Sequence, residues 1–159
     1  MVVSMGTGTS FVKVEHEKIR HVGGIGIGGM LASRLTSISG SSMYIKGSIV
    51  TYSNEAKMKF LDVDKEILDT KGAVSPEVAK QMAEGVRKVV GSDIGVGITG
   101  IAGPTGGTDK KPVGLVYIAV AGKDNIVVKE NIFSGDRARV RYRSTQQALE
   151  MIRQYIKNK

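Results

Sequence analysis

The chain has 159 residues, 41% of them hydrophobic and 24% charged, with a formal net charge of +8. That composition fits one globular domain with a sizeable core and excludes disordered and fibrous classes. Cysteine is absent and His16 and His21 are the only histidines, which excludes a disulfide framework, a thiol nucleophile and a multi-histidine zinc site.

Residues 1–29 hold seven of the 21 glycines and no sustained helical or strand period, and Ile19-Arg20-His21-Val22 makes a poor strand. Met30, Leu31, Leu35 and Ile38 then recur at helical spacing, ended by the cluster Ser39-Gly40-Ser41-Ser42. Residues 44–52, with Ile45, Ile49, Val50 and Thr51, predict a strand. Ser53 or Asn54 can cap a short helix to about Leu61, and Asp64 another through Leu68. Ser75-Pro76-Glu77 supplies a cap, a first-position proline and a first-turn acid. Val78, Met82, Val86 and Val89 then form one apolar face before Gly91. Strands are predicted over 93–99, 113–121 and 125–133, with a hairpin near Gly122 and a Gly- and Pro-rich loop over 100–112. Asp136 caps a basic helix running towards Lys157. This mixture predicts a single α/β or α+β domain without repeats or linkers.

No apolar run approaches the ~18 residues of a membrane span, and the first residues show no leader pattern, so a soluble cytoplasmic protein with no membrane partner is expected. Seven basic residues lie between Arg137 and Lys159 against one acid, Glu150. Charge of this kind attracts any polyanion. With 5% aromatics and no tryptophan to stack on bases, nucleic acid is a poor main partner.

Gly24-Ile25-Gly26-Ile27-Gly28-Gly29 has the form G-x-G-x-x-G, but it lacks a good preceding strand and a well-placed ribose-binding acid, so a dinucleotide fold is not expected. The loop after Thr99 lacks the Gly-Lys-Ser/Thr ending of a phosphate-binding P-loop. Thr51-Tyr52-Ser53-Asn54-Glu55-Ala56-Lys57 is more informative. A lysine in the first turn of a helix sits near the positive end of the dipole, and desolvation lowers its pKa further, towards a usable general base. Tyr52, at the strand end, can share a proton with it. The plain alternative is a solvated helix lysine.

Taken in order, Gly28-Gly29-Met30, Gly40-Ser41-Ser42, Thr51 to Lys57, Gly72-Ala73-Val74-Ser75, Thr99-Gly100-Ile101-Ala102-Gly103-Pro104, Lys111-Pro112-Val113-Gly114 and Gly135-Asp136-Arg137 resemble the CinA C-terminal domain family over residues 28–152. The resemblance implies a compact α/β domain over 28–159, a mixed sheet flanked by helices in a three-layer-like arrangement, and sets residues 1–27 apart as an atypical Gly-rich segment. It also implies a homo-oligomer with no metal or organic cofactor. The family includes nicotinamide-nucleotide amidases of NAD salvage, which convert nicotinamide mononucleotide (NMN) and water to nicotinate mononucleotide and ammonia. In those enzymes a serine attacks the carboxamide, and a lysine with a nearby tyrosine takes its proton. By resemblance these two are Lys57 and Tyr52. The Thr99, Gly100, Ile101, Ala102 and Gly103 loop and Gly28-Gly29 resemble substrate-binding segments, and Arg137 resembles the arginine on the substrate phosphate, a placement suited to a helix N-terminus. An Asp136-Arg137 structural cap is the alternative there. Arg139, Arg141 and Arg143 read as a solvated face.

The departure from the family lies at the nucleophile. Its motif is Glu-Ser-Cys-Thr-Gly-Gly, and alignment on Gly28 and Gly29 puts Ile25 on the serine. Weak or absent hydrolysis is therefore expected of this chain, which leaves an inactive mononucleotide-binding relative as the alternative to an amidase. Other readings are a shifted frame or altered start before Gly28, or water activated by Lys57 and Tyr52, or Ser10 folding back into the site. Charge alone leaves a nucleic-acid-associated protein as a further alternative. Without a strand before Gly28, a sheet edge or an apolar helix face would be exposed, with oligomerisation as the remedy.

Overall fold

The computed structural model describes residues 29–158 and, as a strand, residues 22–25. Five helices are present among them: α1 (Met30–Thr36), α2 (Asn54–Leu61), α3 (Lys65–Lys71), α4 (Pro76–Val90) and α5 (Arg137–Lys157). Four start where the sequence places a capping side chain. Ser53, Asp64, Ser75 and Asp136 each accept a hydrogen bond from a backbone N–H in the first turn, satisfying donors that the helix itself leaves unpaired.

The strands β1 (Val22–Ile25), β2 (Ile45–Ser48), β3 (Ile94–Gly100), β4 (Leu115–Ala121) and β5 (Ile126–Ile132) form one mixed sheet in the order β2-β1-β3-β4-β5. β1 runs parallel to both β2 and β3, whereas β3, β4 and β5 form an antiparallel meander. Two expectations change here. A strand does precede Gly28, and it lies inside the sheet between β2 and β3. Its Val-Gly-Gly-Ile sequence has little intrinsic strand preference, and two flanking partners supply what propensity does not. β2 also ends at Ser48, well short of Tyr52, because its last pairing is Ser48 with Gly24 and no backbone partner follows.

The two faces of the sheet are built differently. Ile94, Val96 and Ile98 of β3 and Val116, Ile118 and Val120 of β4 pack with Leu31 of α1 and with Val140, Leu149 and Ile152 of α5. Each fully buried side chain of this kind contributes about 1.5–3 kcal/mol. On the opposite face the residues are small. Ala119 and Ala121 meet Ala79 and Ala83 of α4. A Cβ on Gly97 would press into the Ala79 carbonyl oxygen and stand 2.7 Å from the Ala83 nitrogen. Glycine there lets the helix lie directly on the strand. The outer side of α4, with Val78, Met82 and Val86, packs on Leu61, Val63 and Leu68 from the region of α2 and α3. That stripe continues to Val90, one turn beyond Val86, rather than to Val89, which is exposed. The domain is thus an α/β three-layer structure, with no helix among the described residues long and apolar enough to cross a membrane.

Candidate functional site

Because β1, β2 and β3 are parallel, their carboxyl ends point the same way. Ligands of mixed α/β sheets commonly bind at such an edge. The segment leaving β2 passes through Thr51 and Tyr52 into α2, and β3 ends in Thr99 and Gly100. Between them ends β1, at Ile25, paired with Gly97. Around this edge a cleft of about 460 Å³ is lined by Thr51, Tyr52, Lys57, Thr99, Gly100 and Ala102, by Ala73 and Met82, and by Arg137 and Arg141 of α5.

Lys57 lies on the cleft wall and is only 7% exposed. Its Nζ donates to the carbonyls of Thr51 at 3.3 Å and Ser53 at 3.4 Å. Among the described residues it forms no ion pair with a carboxylate. Burial holds its pKa below the ordinary lysine value, with the Glu55 carboxylate partly opposing. This is the environment a lysine needs to act as a base. It also has a stability consequence. Between the depressed folded value and the ordinary value of about 10.5, the unfolded chain binds more protons than the folded one. Stability from this group therefore rises with pH through that window, and its cost is full below it. Lys57→Met is expected to melt at a higher temperature than the parent at neutral pH, with the gap closing towards pH 10. A gap that ignores pH would show that the buried ammonium is not its cause.

Tyr52 is not joined to Lys57. Its ring is 78% exposed, and its hydroxyl accepts a hydrogen bond from Arg137 Nη2 at 3.3 Å. Arg137 also donates through Nη1 to the Gly103 carbonyl at 3.1 Å, while Asp136 caps α5. The first residue of α5 thus fastens the loop after β3 to the tyrosine. Thr99 Oγ1 gives its proton to the Ala73 carbonyl at 2.7 Å, so towards a ligand it offers lone pairs rather than a donor for an oxyanion. Lys111 Nζ donates to the carbonyls of Lys71 and Val74 at 2.5 and 2.7 Å, which ties the 71–74 turn to the Gly-rich loop.

Of the remaining predicted contacts, Gly100 and Ala102 line the cleft. Ile101 is consumed in structure: its N–H donates to Leu115 O and its carbonyl accepts from Gly114 N. Gly103 contributes its carbonyl to Arg137, and Gly29 opens α1 at φ +83°. Gly28 and Ser10 lie outside the described residues, as does most of the 1–27 segment. Arg141 and Thr51 are among the cleft residues that the sequence did not single out as binding residues. Arg141, assigned to a solvated face, lines the cleft one helical turn after Arg137, a spacing that could have placed it there. Thr51 carried no signal beyond its neighbours. Among the described residues no cluster of three His, Asp or Glu stands close enough to share a metal ion.

The sequence profile of the CinA C-terminal domain matches residues 13–156. The chain is 55% identical over 129 residues to a CinA-like protein of Koribacter versatilis, covering 81% of this chain and 31% of that protein. It is 52% identical over 131 residues to a CinA-like protein of Syntrophomonas wolfei, covering 82% and 32%. It spans about a third of the length of the curated relatives it matches. The crystal structure of a competence/damage-inducible protein from Agrobacterium tumefaciens superposes with a TM-score of 0.83 at 39% identity, over 84% of each chain. With the family profile matching residues 13–156 and the fold superposing over 84% of the chain, the chain belongs to the CinA C-terminal domain family.

Proposed function

We propose that the cleft is of the nicotinamide-nucleotide amidase type, and that this chain binds NMN while hydrolysing it weakly or not at all. The observation that carries the reading is Lys57, a desolvated lysine that has no carboxylate partner among the described residues, in a cleft that also holds Arg137. Burying an ammonium costs stability, and a base is one return for that cost. Arg137 and Arg141 supply guanidinium groups at the N-terminal end of a helix, suited to a ribose phosphate. At about 460 Å³ the cleft has the size of small-molecule sites.

In the amidase reaction a hydroxyl attacks the carboxamide carbon and its proton passes to Lys57. Lys57 passes that proton to the amide nitrogen, ammonia leaves, and water then cleaves the acyl intermediate, releasing nicotinate mononucleotide and restoring the hydroxyl. Ile25 at the nucleophile position has no hydroxyl to give, so this chain retains binding and loses the covalent step. Calorimetric titration of NMN alongside an ammonia assay tests the reading. Saturable binding is expected, weakened about tenfold or more by Arg137→Ala, with ammonia release near background and any residue abolished by Lys57→Ala. Failure to bind NMN at all would sink it.

A further inference from the structure

We infer that the Thr51 hydroxyl receives the uncharged carboxamide head of the ligand, an inference that rests on the mononucleotide reading above. Thr51 is only 7% exposed, and its Oγ1 is shut off from solvent with no hydrogen-bond partner among the described residues. Arg87 Nε shares that condition among the described residues, but of the two only Thr51 lies on the cleft wall. A buried hydroxyl left unpaired costs free energy, which a ligand returns when it supplies the missing partner. The backbone of the same residue is already engaged, its carbonyl accepting from Lys57 Nζ at 3.3 Å. The side-chain hydroxyl is left over, on a residue whose main chain already touches Lys57.

Burial sorts the two ends of the ligand. Thr51 and Lys57 are buried, whereas Tyr52 and Arg137 are exposed. A phosphate dianion is costly to strip of water and belongs with the exposed guanidinium. A neutral carboxamide is cheaper to bury, and it both donates and accepts, as a threonine hydroxyl does. Thr51 is thus a binding residue for the head group, next to the lysine that would serve the reaction there.

Titration of NMN and of ribose 5-phosphate, which lacks the head, into the parent, Thr51→Val and Thr51→Ser tests this. Thr51→Val keeps the shape and removes an unpaired hydroxyl, so its melting temperature is expected to match or exceed the parent's. NMN is expected to bind it about tenfold more weakly, while ribose 5-phosphate is unaffected and Thr51→Ser keeps the parental affinities. Equal NMN affinity in parent and Thr51→Val, as a bound water on the hydroxyl would give, overturns the assignment of Thr51 but leaves NMN as the ligand. Equal losses for both ligands overturn it as general damage to the cleft. No binding of NMN by the parent removes the mononucleotide reading, and this inference with it.

Discussion

Replacing residues 24–27 with Glu-Ser-Cys-Thr is expected to raise ammonia release from NMN by at least about 10³-fold over the parent chain, since a missing covalent nucleophile costs a factor of this order or more. The backbone gives the expectation its basis. Position 25 closes β1, between the strand ends that lead to Thr51 and Lys57 on one side and to Thr99 on the other. The backbone at that position lies at the carboxyl edge of the parallel strands, the edge at which the cleft opens. Adding Lys57→Ala to the repaired chain is expected to return the rate to background, because the serine would lose its proton acceptor. A repaired chain that folds and binds NMN yet stays silent would refute the amidase reading of the cleft.

Gly97→Val has the largest effect expected on folding, a loss of about 3 kcal/mol or more, read by thermal or urea unfolding. The strand and α4 touch through backbone there: the added carbon would meet the Ala79 carbonyl and the Ala83 nitrogen, neither of which can rotate aside. Gly95 faces the Ala83 carbonyl in the same way. Ile118→Val on the other face, where side chains meet side chains, is expected to cost only about 0.5–1.5 kcal/mol. Comparable losses from the two substitutions would mean that α4 is free to shift outward.

The capped helices were legible in the sequence because a cap is a local bargain. Ser53, Asp64, Ser75 and Asp136 each serve N–H groups two or three residues ahead, whatever the rest of the chain does. β3, β4 and β5 were legible within two residues at either end because β-formers are dense there and Gly, Pro or Asn punctuates them. β1 was not, since it exists through its neighbours rather than its own residues. The over-extension of β2 has the matching cause: Ile49, Val50 and Thr51 favour a strand, but strand needs a partner and β1 gives none past Gly24. At the site, Lys57 could be singled out because a helix start is visible in sequence. The bonding of Tyr52 with Arg137, 85 residues away, rests on how α5 crosses the sheet and left no local trace.

Lys57 hangs from the main-chain oxygens of Thr51 and Ser53, and main-chain oxygens are present whatever residues occupy those positions. Lys57 is therefore registered to the path of the chain rather than to any neighbouring side chain. Substitutions along the cleft at Thr51, Thr99 or Arg141 can alter which molecule fits without moving the lysine. A domain of this design can exchange its ligand over evolutionary time while carrying the same buried lysine forward.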